Sequence, residues 1–171
     1  RRLMAYWLFK SEPDVFSWDD LVARGERGEE WDGVRNYQAR NFMRAMKLGD
    51  RGLFYHSNIG KEAVGIVEVI AEAHPDSKAD DPKWECVDVR AVEPLERPVT
   101  LAEIKADPQF AEMVLVRNSR LSVQPVTDAE WEAVLALAEA PEEAAEDAPA
   151  DAPADRPAKA KPARRAAKRK D

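Results

Sequence analysis

Two stretches in the middle of the chain limit the folds it can adopt. From Ala63 to His74 (AVGIVEVIAEAH), Val64 and Ile66 stand against Gly65, Val67 and Val69, with Glu68 and Glu72 among them. From Trp84 to Val99, Val87, Val89 and Ala91 stand against Asp88, Arg90 and Glu93. Alternation with a period of two is the mark of strands. Both runs are longer than common strands, and twist accumulated over such a length curls a sheet. Gly65, inside the first run, predicts a bulge. Strands outnumber helices along the chain and several are long enough to curl into a barrel, so an α+β fold class is expected.

The remaining elements fit around these two. Ala5 to Phe9 (AYWLF) is a short buried strand that ends abruptly at Lys10-Ser11-Glu12 before Pro13. Ser17, with Asp20 three residues on, opens a helix whose inward residues are Leu21 and Val22. Ala23 to Glu30 (ARGERGEE) reads as a solvated loop. Asn36 caps a helix that runs to about Lys47, with Phe42, Met43 and Met46 facing inward and Arg40 and Arg44 outside, until Gly49-Asp50 stops it. Leu53 to Tyr55 is a strand with His56-Ser57-Asn58 at its end. The polar ends of the first strand, of this strand and of the Asn36 helix are expected to converge. Thr100 with Glu103, and Thr127 with Glu130, are two capping boxes, and the second opens a helix burying Trp131, Val134, Leu135 and Ala138. Arg120 to Pro125 alternates like a strand between them.

Periodicity ends near residue 140. The net charge of −7 conceals three unlike segments: residues 141–155 carry six acids and no base, residues 156–171 eight bases and one acid, and residues 1–140 hold the remaining −8. A segment of Ala, Pro and charge cannot repay the entropy of ordering, so 141–171 is expected to be a disordered tail, acidic then basic. Its last part is expected to bind polyanions without sequence preference. Residues 1–3 precede Met4 and read as an N-terminal extension or cloning remnant, leaving 4–140 as the domain. No apolar run approaches a bilayer's width and no signal peptide stands at the N-terminus, so a soluble, cytoplasmic monomer with no membrane contact is expected. The single cysteine, Cys86, excludes an internal disulfide. His56 and His74 stand at no ligand spacing from it, so Cys86 reads as a buried small residue and no metal is expected.

Chemistry concentrates between Trp31 and Asn58. Trp31, Tyr37, Phe42, Phe54 and Tyr55 supply planar faces; Asp32, Asn36, Gln38, Asn41, His56, Ser57 and Asn58 supply short donors and acceptors. Planes beside polar edges are what a nucleobase reader requires, and also what a half-buried core contains. A domain of this acidity cannot grip duplex phosphate broadly, so any nucleic-acid contact must be local and pocket-like. Hydrolase signatures are missing: there is no G-x-S-x-G, H-E-x-x-H or phosphate-binding glycine loop. His56 and Ser57 beside Asp32 make a poor nucleophile arrangement, because adjacent strand residues point to opposite faces.

Tyr6 to Pro13 (YWLFKSEP), Trp31 to Asn41 (WDGVRNYQARN), Gly49-Asp50, Phe54 to Asn58 (FYHSN), Gly65-Ile66-Val67 and Arg120 to Val126 (RLSVQPV), followed by a Trp-bearing helix, occur as unbroken blocks. Together they resemble the EVE domain family over about residues 4–139. The resemblance implies a PUA-like fold, a small mixed β-barrel flanked by short helices, related to YTH domains. It further implies a non-catalytic module that binds DNA or RNA by holding a modified base, methylated or hydroxymethylated, from a single strand or flipped from a duplex. No cofactor is implied. Carried onto this sequence, the base-pocket candidates are Lys10, Ser11, Trp31, Asp32, Val34, Asn36, Tyr37, Gln38, Tyr55, His56 and Ser57, with Trp31 as the stacking ring. Arg35 and Arg120 are candidates for a flanking phosphate. Trp7, Trp18, Trp84 and Trp131 are assigned to packing. The alternatives are a PUA-like hydrolase or nuclease, using Glu12 or Asp32 near Lys10, and a small-molecule pocket.

Overall fold

The computed structural model describes residues 4–139. The expectations for the N-terminal extension and for the tail lie outside the described residues. Six strands, β1 (Tyr6–Ser11), β2 (Glu29–Glu30), β3 (Arg51–His56), β4 (Glu62–Pro75), β5 (Glu85–Thr100) and β6 (Val123–Val126), form one sheet in the order β2-β5-β4-β3-β1-β6. Only β1 and β3 are parallel; the other neighbours are antiparallel. The helices are α1 (Trp18–Arg24), α2 (Tyr37–Ala45), α3 (Leu101–Ala106), α4 (Val114–Arg117) and α5 (Asp128–Ala138). This is the mixed α+β, PUA-like architecture read from the sequence.

Both faces of the central strands are covered. Trp7 and Phe9 of β1 and Phe54 of β3 enter one apolar cluster with Leu21, Trp31 and Met43, while Leu8, Leu53 and Tyr55 enter another with Ile104, Phe110 and Trp131. That two-sided burial is why β1 is a continuous apolar run rather than an alternating one. The β4/β5 pair shifts register at four places, the first of them between Ala63 and Gly65, and each shift bends the ladder. A Cβ on Gly65 would lie 2.4 Å from the Trp18 ring, so glycine here lets α1 seat on the sheet.

Helix starts follow the sequence closely. Ser17, Thr100 and Thr127 form reciprocal capping boxes with Asp20, Glu103 and Glu130, and Asn36 accepts from the Ala39 N–H at 2.8 Å. Several expectations need correction. Val22 is 49% exposed, because the buried stripe of α1 runs through Trp18 and Leu21. The supposed loop 23–30 contains a 3₁₀ turn and β2, whose Glu29 and Glu30 pair with Val89 and Asp88. Gly28 makes this possible: with φ +68, its missing Cβ would fall 2.2 Å from the Val89 carbonyl oxygen. Helix α2 ends at Ala45, where Met46 turns extended. Asp50 is a buried acceptor, taking the Trp7 indole N–H at 3.0 Å, the Lys47 N–H at 3.0 Å and the Ala5 N–H at 3.3 Å. Phe42 and Trp84 are half-buried rather than core.

Candidate functional site

Parallel pairing of β1 and β3 brings their polar ends side by side. Ser11 registers against His56, and the Ser57 N–H donates to the Ser11 carbonyl at 2.9 Å. Across from them the chain leaving β2 is fastened by the Trp31 N–H to the Val87 carbonyl at 2.8 Å. Between the end of β1 and the chain leaving β2 lies a cavity of about 430 Å³, a size typical of small-ligand sites. Of the predicted residues, Lys10, Ser11, Trp31, Asp32 and Val34 line it, together with Arg35. Ser57 and Arg120 line an adjoining hollow that shares Lys10 and Ser122 with the first.

Other candidates are placed elsewhere. Asn36 and Gln38 are exposed and line neither hollow, and the Asn36 side chain is engaged as the cap. Tyr55 is buried in the opposite cluster, where burial, with the Glu62 charge adding to it, pushes its phenol up to about 12. The His56 Nε2 accepts the Trp18 N–H at 3.1 Å, an acceptance that requires the tautomer with its proton on Nδ1, and burial holds its pKa below the ordinary value. Tyr37, at the first turn of α2, projects outward and stacks on Trp84 at 4.9 Å. Sequence reasoning missed Phe16, Arg24, Glu29, Glu30, Lys78 and Ser122 in the lining. The acids among them were read as a loop, and nothing local marks Lys78.

Trp31 is 7% exposed and meets Phe9, Phe54 and Phe16 edge-on at 5.3, 5.7 and 6.3 Å. It gives the cavity only a sliver of its surface. Three ion pairs stand around it: Asp32 with Lys78 at 2.7 Å, Glu29 with Arg24 at 2.7 Å, and Arg35 with buried Asp76 at 3.0 Å. Of the two carboxylates in the acid–base alternative, Asp32 makes its ion pair with Lys78, while Glu12 lines the adjoining hollow with Lys10. Lys10 Nζ donates to the Ser119 carbonyl at 2.5 Å and sits 5.9 Å from the Tyr55 ring centre; burial lowers its pKa. The site is thus a set of fixed hydrogen-bonding groups around a nearly neutral hollow.

Behind the rim, Cys86 is buried in the apolar cluster as expected, but ligand-type side chains lie beside it. Strand pairing sets His74 against Cys86, and Glu30 joins them, so that a ligand atom from each lies within 4.8 Å of the others. The group is self-satisfied as it stands. Burial first, and then the Glu30 charge, raise the Cys86 thiol. His74 Nε2 faces Asp88 at 2.8 Å and Nδ1 faces the Pro75 carbonyl at 3.0 Å; these acceptors outweigh burial and raise its pKa.

Comparison with known proteins places this geometry. The pattern of the EVE domain matches residues 5–137. Human thymocyte nuclear protein 1 is 41% identical over 171 residues, covering 81% of this chain and 76% of that protein. A crystal structure of an Agrobacterium tumefaciens protein has TM-score 0.78 at 58% identity, covering 79% of this chain and 93% of that one. The crystal structure of human THYN1 protein in complex with 5-methylcytosine containing DNA has TM-score 0.74 at 39% identity, covering 80% and 99%. A Zygosaccharomyces rouxii YTH domain, at 18% identity and TM-score 0.50 over 82% and 88%, shares the fold.

Proposed function

Because the chain belongs to the EVE domain family, we propose that it is a nucleic-acid-binding module that receives one modified base in the cavity between the end of β1 and the chain leaving β2. The observation that carries this reading is the cavity itself: a hollow of base-accommodating size, with Trp31 at its wall and the polar groups of Lys10, Ser11, Asp32 and Ser122 around it. A base taken out of its stack presents a hydrogen-bonding edge, and rigidly held donors and acceptors read such an edge without catalysis. The 39%-identical protein solved with 5-methylcytosine DNA supports a methylated base as the ligand class. Asp32, fixed by Lys78, is an acceptor for an exocyclic amine, and Lys10 a donor for a ring carbonyl.

The test is a titration of single-stranded oligonucleotides containing 5-methylcytosine, 5-hydroxymethylcytosine or N6-methyladenine against plain strands. One modified strand should bind about tenfold tighter than its plain partner, or about 1.4 kcal/mol. Asp32→Ala should remove that preference. Equal binding of all strands would overturn the reading, as would cleavage or deamination of any of them by the wild type.

A further inference from the structure

Tyr37 is 52% exposed, yet it is far from isolated. Its ring stacks on Trp84 with an interplanar angle of 23°, and three cations gather around the pair. Arg40 Cζ lies 4.9 Å from the Tyr37 ring centre and 5.9 Å from that of Trp84; Lys83 Nζ lies 5.4 and 5.6 Å from them; Arg35 Cζ lies 5.6 Å from Trp84. Cation–π attraction holds such groups over a ring without neutralising them. Arg40 bonds only to the Asn41 side chain and the Lys83 carbonyl, and meets no carboxylate among the described residues. Lys83 forms a long, exposed ion pair with Asp81 at 3.7 Å. Arg40 therefore keeps its charge uncompensated, and Lys83 is held only by a long exposed pair that salt and solvent screen, on a domain whose residues 1–140 carry −8.

This surface adjoins the cavity through Arg35, which lines the cavity and also approaches Trp84. All three cations lie within 6 Å of the Trp84 ring centre, so no two can be more than twice that distance apart. Exposed aromatics interleaved with cations are the composition of single-strand tracks. We propose that the Tyr37–Trp84 platform, with Arg40 and Lys83, is a second contact for the same strand, holding the phosphodiester backbone beside the nucleotide whose base enters the cavity. This inference rests on the base-reading function. The cavity discriminates, and the platform supplies sequence-independent affinity and direction.

The experiment compares the full chain with its Arg40→Ala/Lys83→Ala double variant. Probes are plain and modified single strands of about ten nucleotides, and the free modified nucleoside. Each single-strand phosphate contact contributes about 0.7 to the slope of log affinity against log salt, so losing two lowers the slope by about 1.4. Between 50 and 200 mM salt, wild type should then lose about sevenfold more affinity than the variant. Both strands should weaken equally, with their ratio and the nucleoside affinity unchanged. An unchanged slope would overturn the platform, as would an equal fall in a Lys105→Ala/Arg117→Ala control. If wild type shows no modified-base preference but the slope falls, the cavity reading fails and the platform stands. If the preference survives and the slope does not move, the reverse holds.

Discussion

Trp31 is where ligand and core compete for one side chain, and its substitution separates the two. The ring is 93% buried, packed edge-to-face among Phe9, Phe54 and Phe16, and its backbone N–H is fixed to Val87. Truncating a tryptophan in such a setting costs about 3–5 kcal/mol, from lost burial and from the cavity left behind. Domains of this size hold about 5–15 kcal/mol in all, so Trp31→Ala should remain folded at 25 °C but with much of its margin gone. With a urea m-value of about 2 kcal/mol per molar, the midpoint should fall by about 1.5–2.5 M. Circular dichroism during urea titration reads this directly. Trp31→Phe keeps a ring in the cluster and should cost about 1–2 kcal/mol. An open stacking platform contributes about 1–3 kcal/mol per base. A ring showing a sliver contributes less, so Trp31→Phe should weaken modified-strand binding less than about fivefold. A stability loss below about 1 kcal/mol for Trp31→Ala, with a more than tenfold binding loss for Trp31→Phe, would show that the ring serves the ligand first and that the packing argument is wrong.

Asp50→Ala should cost about 3 kcal/mol by stranding the Trp7 indole N–H and the Lys47 N–H, whereas Asp50→Asn, which keeps one acceptor oxygen, should cost about 1 kcal/mol; equal losses in denaturant melts would refute the hub. Acid should weaken the fold through His56. A histidine held below its ordinary value of 6.5 contributes stability that is present above that pH and lost as pH falls beneath it. His74, held above 6.5, works in the opposite sense, its contribution being present below 6.5 and lost as pH rises through its folded value. Between pH 7.5 and 5.5, wild type should therefore lose more stability than His56→Gln, which can still accept the Trp18 N–H. A pH-independent gap between the two proteins would contradict this.

What could be read in the chain, and what could not, follows from where the information lies. Capping boxes, the bulge at Gly65 and the convergence of Ser11 with His56 are written in local spacing or in the ends of strands. The strand β2 has two residues and therefore no periodicity, so Glu29 and Glu30 passed for loop charges although they line the cavity. The meeting of Glu30, His74 and Cys86 depends on the β4/β5 register after its bulges, which spacing alone cannot supply. Within Trp31 to Asn58, the residue types pointed to one pocket, but the geometry divides them. Trp31, Asp32 and Val34 face the cavity, while Tyr37 turns outward because it opens a helix whose buried side is taken by Ala39 and Met43.

The position of β1 has a consequence for how the protein is made. This first strand lies between β3 and β6, with Tyr6 registered against Val126 and its ring stacked on Trp131 at 4.2 Å. During synthesis from the N-terminus, one edge of β1 must wait for nearly the whole domain to emerge before it finds its partner. Such long-range pairing slows folding and leaves an apolar edge open to other chains in the interval. A chain stopped before Val123 would keep that edge permanently, with the polar end that frames the cavity held from one side only.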